Sequence, residues 1–301
     1  MTNNIMFFLL LSLLNNSSII IFMGKGERFP VSLNAVNVVC FKIDWEEKML
    51  NVLLLKRSIV PQKNKWSLPG GFVQGDETLE EAARRIFVTE TGISPAYLSQ
   101  FRSYSDIKRD NRIINEHSGQ KARVVTTAFT AIYTSNEELQ LDDDSEDIGW
   151  FKIPRRYLSR YIPENMAFDH HDMLVEASNR LRISLEYSGL ATRFLPEHFT
   201  LGQIQDIYEI IWEVELDPAN FREKLTNVEG WIKESKTGPK NAEPRRGKPP
   251  TWYKEHDIPQ FDRMITNPNG AVIREKESEY QKNLDNLTGE IPIVTEKELG
   301  I

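Results

Sequence analysis

Between Trp66 and Ile93 the chain reads WSLPGGFVQGDETLEEAARRIFVTETGI, a glycine pair followed by an acidic, helix-forming run. Such a segment suits an anionic ligand. Gly70 and Gly71 carry no side chain to keep a phosphate from the backbone, and a helix starting near Asp76 offers free N–H groups and its positive dipole end. Arg57, closing the strand LLLKR, is positioned to meet a phosphate, and Trp66 to stack on a base. A solvated strand end and a plain core tryptophan are the competing readings of these two residues. On a helix Ile86, Thr89 and Glu90 are spaced i, i+3 and i+4 and share one face. A hard cation held against a substrate needs more than one carboxylate, and on that face only Glu90 supplies one. Ile86 has no ligand atom and Thr89 only a neutral hydroxyl. Glu80 and Glu81 precede that face and read as first-turn acids complementing the helix dipole.

A second concentration of charge lies further on. From Arg222 to Lys254 nine basic residues stand against four acidic ones, a net charge of +5. Thr200 with Gln203 forms a capping-box signature, followed by Ile204, Ile207, Tyr208 and Ile211 at helical spacing. Asp217-Pro218 sets the N-cap and first residue of a second helix. That helix turns Phe221 and Leu225 inward and Asn220, Arg222, Glu223 and Lys224 outward. Two strands are predicted around Trp231–Lys233 and Thr251–Tyr253, joined by the Gly/Pro-rich loop Lys236–Pro250, which carries Lys240, Arg245, Arg246 and Lys248. Two helices and a basic hairpin outline a winged helix-turn-helix. Its wing can follow a phosphate backbone or enter a minor groove. A merely solvated basic loop is the competing reading.

Other reactive residues are less suggestive. Asp169, His170 and His171 invite a metal reading, but adjacent histidines point in different directions on a helix, and no third ligand has an evident register. Cys40, the single cysteine, lies in the apolar run Val36–Phe41 and reads as a buried, inert thiol; a disulfide framework is excluded. The 301 residues, 40% hydrophobic and 27% charged, with a net charge of −7, describe an acidic globular chain of roughly two domains. That balance excludes a protein that coats nucleic acid along its whole surface. It also conceals the basic hairpin, because residues 255–301 carry ten acids against five basic residues.

The elements that position these residues follow from apolar periodicity. Val36–Ile43 and Asn51–Lys56 read as strands around the charged turn Asp44–Lys48; Val124–Tyr133 and Ile148–Ile153 are further strands, the last after the acidic loop Asp142–Asp147. Phe168–Ser184 reads as a helix with Met173, Leu174, Ala177 and Leu181 on one face. The expected fold class is α+β. The expected divisions are an apolar extension at 1–22, a ligand-binding domain at 23–160, a linker helix at 161–194, a winged helix at 195–256 and a flexible polar tail at 257–301. Residues 1–22 lack charge and are interrupted by Asn15–Ser18, fitting neither an unbroken membrane span nor a proper signal peptide. An extension ahead of the fold is favoured over a weak anchor, with the protein expected in the cytoplasm and without stable membrane association.

The segment Gly71–Ile93 resembles the Nudix box: Gly71, Glu77, Arg85, Phe87, Glu90, Gly92 and Ile93 match its pattern, while Ile86 and Thr89 replace glutamates. With RVVTTAFTAIY, AFDHH and RRGKPPTWYK, the chain from about residue 30 to 254 resembles the Nudix-related transcriptional regulators of NAD metabolism and sugar utilisation. The resemblance implies a Nudix-like α/β/α sandwich followed by a winged helix, and a dimeric regulator of an operator in double-stranded DNA. The implied effector is ADP-ribose, a related nucleotide or a pentose. Arg57, Trp66, Gly70, Gly71, Glu77 and Arg85 are the expected ligand-binding residues, Glu77 and Arg85 pairing to fix the loop. Asn220, Arg222, Lys224, Lys240, Arg245, Arg246 and Lys248 are the expected DNA-binding residues. No catalytic residue and no cofactor are expected. The alternative is an active hydrolase of nucleoside diphosphate derivatives, relying on Glu90 and Glu77 with Mg²⁺ or Mn²⁺, for which Glu90 is the one metal ligand in the box.

Overall fold

The structure, a computed structural model, describes residues 32–106, 109–115, 120–135, 137–140, 142–153, 162–239, 250–256 and 265; at 111–122 only the backbone is described. Two long apolar strands start it. β1 (Ser32–Asp44) and β2 (Met49–Arg57) pair antiparallel from Phe41↔Val52 to Asp44↔Met49. Asp44 closes their turn by accepting from the N–H groups of Glu46 and Glu47 at 3.1 and 3.0 Å. The short strands β3 (Trp66–Ser67) and β4 (Gly70–Phe72) add to β2 and β1 respectively, and lead the chain into helix α1 (Leu79–Thr91). β5 (Tyr97–Tyr104), β6 (Asn111–Asn115) and β7 (Gln120–Ile132) come next; β7 lies parallel to β1 over ten residue pairs, and β8 (Ser145–Lys152) returns against β2.

Both faces of this mixed sheet are covered, which is why β1 is buried almost without interruption. Alternation sends Val36, Val38, Cys40, Leu53, Phe129 and Ala131 to one face, beneath Ala82, Ala83, Ile86 and Phe87 of α1. Val39, Phe41, Ile43, Val52, Leu54 and Ile132 go to the other, beneath helix α2 (His170–Tyr187). The result is the expected α+β arrangement, with helices on both sides of the sheet. Cys40 is fully buried, and burial pushes its thiol well above the ordinary range. The predicted helix Phe168–Ser184 starts two residues later and ends three residues later, because Phe168 takes a left-handed φ of 49° that a helix cannot include.

A 3₁₀ turn, Gly189–Phe194, leads from α2 into α3 (Leu201–Trp212) and α4 (Pro218–Thr226). Both predicted N-caps form: Thr200 and Gln203 close a capping box, and Asp217 accepts from the Asn220 N–H, with Pro218 in the first turn. β9 (Ile232–Ser235) and β10 (Trp252–Glu255) pair as the hairpin, and the Phe199 backbone bridges to Tyr253 on the outer side of β10. Trp231 falls just before its strand and is buried on Gly189, where an added Cβ would lie 2.5 Å from the indole nitrogen. Lys240, Arg245, Arg246 and Lys248, the extension at 1–22 and all of the tail 257–301 except Ile265 lie outside the described residues. Ile265 is buried and donates its N–H to the Glu186 carbonyl at 2.8 Å.

One core joins the two units. Ile204, Ile207, Tyr208, Phe221, Leu225 and Trp231 belong to the same apolar cluster as α2 and the sheet face under it. The Tyr208 hydroxyl donates to the Leu185 carbonyl at 2.9 Å, and the Trp212 indole to the Arg182 carbonyl at 3.0 Å. Trp231→Ala is therefore expected to cost about 3–5 kcal/mol and to lower the stability of the sheet as well as the hairpin. Urea unfolding followed by fluorescence and by far-ultraviolet dichroism should give coincident transitions for residues 32–256; two separated transitions would contradict the shared core.

Candidate functional site

The loop and helix of the glycine-pair segment are locked from several sides. Thr78 caps α1, accepting from the Glu81 N–H at 3.2 Å, while Glu81 accepts from the Thr78 N–H at 2.8 Å. Glu81, expected only to complement the dipole, thus completes a capping box. Glu77 and Arg85 meet in two contacts of 2.7 and 2.5 Å; Glu77 also accepts from the Gln74 N–H, and Arg85 reaches the Phe72 carbonyl. The Arg85 hydrogen bond holds the Glu77 carboxyl down to about 2, below the usual carboxylate range. This pair fastens loop 72–77 to the helix. α1 ends at Gly92, whose φ of 71° and whose contact with Gln140, 2.7 Å from an added Cβ, both require glycine.

The helix face that would gather a cation packs instead. Ile86 is buried, and its Cδ1 would touch a Cβ placed on Gly71 at 3.2 Å. Glu90, half-buried, accepts from the Gly70 N–H at 2.9 Å. Burial pushes the Glu90 carboxyl up to about 8; the Gly70 hydrogen bond opposes this, and Asp142 adds to it. Thr89 is exposed. Among the described residues no group of three or more His, Cys, Asp or Glu side chains gathers as a metal site. One carboxylate beside an isoleucine does not fit a cation that must hold a diphosphate.

A cleft opens on the far side of the glycine pair. Arg57, Gly70, Gly71, Asn37, Arg109, Thr126, Phe168 and His170 line it. Gly70 is forced: a Cβ there would lie 1.9 Å from Asn37 Nδ2 and 2.7 Å from the Val36 carbonyl. Arg57 donates from Nε to the Pro61 carbonyl at 3.1 Å and lays its guanidinium 5.6 Å from the Phe168 ring centre. His170 is buried, with Nδ1 accepting from the Leu68 N–H at 3.0 Å, and burial pushes its pKa down to about 3, so the ring is neutral. Arg109 makes a two-pronged pair with Asp169 at 2.7 and 2.6 Å and donates to Thr126 at 2.5 Å.

Of the predicted ligand-binding residues, the structure brings Arg57, Gly70 and Gly71 into the cleft. Glu77 and Arg85 stand behind it as the loop clasp. Trp66 is not in the lining: it packs half-buried on the core under α2, edge-on to Phe151 at 4.6 Å. Phe168 is the aromatic ring in the cleft. Asp169, His170 and His171 face separate partners, namely Arg109, the Leu68 N–H and Asp172. Sequence reading missed Arg109, Thr126, Asn37 and Phe168; the left-handed Phe168 and the pairing of Arg109 across 60 positions leave no periodic signal.

The other candidate surface lies on the hairpin unit. α4 exposes Asn220, Arg222, Glu223 and Lys224 while burying Phe221 and Leu225, as its spacing predicts. Lys233 and Lys236 are exposed on and beside β9, whereas Lys254 pairs with Glu197 at 2.5 Å. Among the described residues no helix is long and apolar enough to cross a membrane.

A two-faced sheet with a glycine- and arginine-lined cleft, sharing its core with two helices and a hairpin, has the architecture of a Nudix domain followed by a winged helix. Residues 33–165 match the NUDIX domain, and residues 191–254 match the NrtR DNA-binding winged helix domain. The chain belongs to the NrtR family. It is 32% identical over 262 residues to the ADPR responsive transcriptional repressor NtrR of Acinetobacter baylyi, covering 84% of this chain and 96% of that one. It is similar to the crystal structure of Shewanella oneidensis NrtR complexed with a 27mer DNA, with 26% identity, a TM-score of 0.60, and coverage of 77% of this chain and 99% of that one. The ADP-ribose pyrophosphatase of Methanocaldococcus jannaschii is 33% identical over 128 residues, 42% of this chain and 66% of that protein.

Glu90 gives the site a pH signature. Its carboxyl holds its proton up to about 8 when folded and to 4.5 when free, so its contribution to stability is full below 4.5 and is lost as pH rises through about 8. Glu90→Gln keeps an oxygen for the Gly70 N–H and removes the titration. Relative to this variant, the wild type is expected to lose up to about 4 kcal/mol between pH 5 and 8.5, reduced by solvent screening of the half-buried carboxyl. Parallel stability curves in urea at the two pH values would contradict the assignment.

Proposed function

We propose that this protein is a repressor that holds an operator with its winged helix and releases it when ADP-ribose enters the Nudix cleft. The observation that carries the reading is the span of its likeness: an ADPR responsive repressor matches both the cleft-bearing and the hairpin-bearing parts of the chain. The cleft supports it chemically. Arg57 and Arg109 supply positive charge, the glycine pair permits close backbone approach, and Phe168 offers a ring. On the DNA side, α4 presents Asn220, Arg222 and Lys224 to a groove, and the wing residues Lys240, Arg245, Arg246 and Lys248 meet phosphates. The repressor acts in the cytoplasm as a homodimer on a pseudo-palindromic site.

Hydrolysis is not part of this reading, since the metal face is closed by Ile86 and retains Glu90 alone. ADP-ribose incubated with the protein and Mg²⁺ or Mn²⁺ should stay intact. AMP release that disappears in Glu90→Gln would overturn this and favour a hydrolase.

Fluorescence anisotropy with a labelled fragment from upstream of the gene tests the whole reading. Binding should weaken steeply with salt, with log K falling about 0.9 per phosphate neutralised for each unit of log salt. ADP-ribose should reduce it where arabinose and xylose do not. Replacing both Arg245 and Arg246 by alanine is expected to cost at least about tenfold in affinity and to shrink the salt slope by about 2. No binding at low salt, or binding indifferent to ADP-ribose, would refute the proposal.

A further inference from the structure

Asp169 sits at the N-cap of α2 yet makes no side-chain hydrogen bond to that helix. The other α-helices described, α1, α3 and α4, are each capped by a side chain, from Thr78, Thr200 and Asp217. Aspartate is among the best N-cap residues, gaining both a backbone N–H and the helix dipole, so forgoing the cap needs a cause. The cause is Arg109. Both Asp169 oxygens are taken by its guanidinium, at 2.7 Å from Nε and 2.6 Å from Nη2, and its third edge donates to Thr126. The pair is well shielded, with side-chain exposures of 5% for Arg109 and 21% for Asp169.

The planar fork that grips a carboxylate in this way grips a phosphate equally well. Arg109 and Thr126 both line the cleft, and His170 beside them is neutral. The cleft's other arginine, Arg57, commits Nε to the Pro61 carbonyl and lies against Phe168. We infer that Arg109 recognises the effector's diphosphate and that Asp169 is its internal stand-in. Without effector the Asp169 carboxylate occupies the fork; the diphosphate displaces it, and Asp169 returns to cap α2. Selection then favours ligands with two adjacent anionic oxygens over neutral sugars. The exchange also reaches the DNA-binding unit, because α2 is the helix whose far end accepts from Tyr208 and Trp212. This inference rests on the proposed reading of the cleft as a nucleoside diphosphate site.

Calorimetric titration of the full chain with ADP-ribose, and separately with inorganic pyrophosphate, tests it. Asp169→Asn removes the competing charge and keeps a capping side chain. It should tighten binding by roughly tenfold, as expected if the form with a free Arg109 fork is about one-tenth populated. Arg109→Gln should weaken it by at least as much. Asp172→Asn removes the same charge from an exposed position one turn away and should change affinity by less than about twofold. If Asp169→Asn does not fold, Asp169→Ser serves as the second charge-removing cap. Binding by the Asp169 variant that equals or falls below wild type, or an equal gain from Asp172→Asn, overturns the inference and leaves the effector reading standing. A wild type that binds no ADP-ribose, with a gain in pyrophosphate affinity confined to the Asp169 variant, overturns the effector reading and leaves the inference standing.

Discussion

Helix α2 is held at both ends by groups that belong to different tasks. At its start Asp169 is tied to Arg109 and His170 to the backbone of Leu68, and Arg109, Leu68 and His170 line the cleft. Toward its end the carbonyls of Arg182 and Leu185 accept from Trp212 and Tyr208 of the DNA-binding unit. Between them Met173, Leu174, Ala177 and Leu181 are buried on the sheet. A close-packed helix transmits displacement because its neighbours cannot absorb it by compressing. α2 is thus in direct contact both with the Asp169–Arg109 pair and with α3. The sheet that bears the cleft and the hairpin unit share one apolar core.

Packing also explains the altered metal face. In a hydrolase the helix after the glycine pair must keep carboxylates free to hold a cation, and free carboxylates under a loop repel one another. Here Ile86 fills the space below Gly71, and Glu90, its proton held by burial, fastens the Gly70 N–H. Replacing charge by packing fixes the loop without metal. What remains of the box, the Glu77–Arg85 clasp and the capped start of α1, holds the loop against the helix.

Legibility from sequence followed the reach of the interaction. Elements set by local rules were readable: the capping box at Thr200, the Asp217-Pro218 start and the apolar run of β1 all depend on residues within a turn or strand. Gly70 and Gly71 were readable as a close approach, though not that Asn37 and Ile86 are what approach them. The cleft's other side was not readable. Arg109 meets Asp169 across 60 positions, and Phe168 enters the cleft through a left-handed turn that a smooth helical pattern from Phe168 to Ser184 conceals. Trp66 shows the converse case: an aromatic next to a glycine pair can stack on a base or pack in the core, and the strand it belongs to aims it at Phe151.

If cleft and DNA-binding surface are coupled through α2, the coupling between their two binding equilibria is reciprocal. The most direct measurement is calorimetric titration of ADP-ribose into the free protein and into protein saturated with its operator. The affinity should fall on the operator complex by the same factor by which ADP-ribose weakens operator binding, on the order of 5–150-fold for ordinary allosteric pairs. Equal ADP-ribose affinities with and without operator would contradict the account.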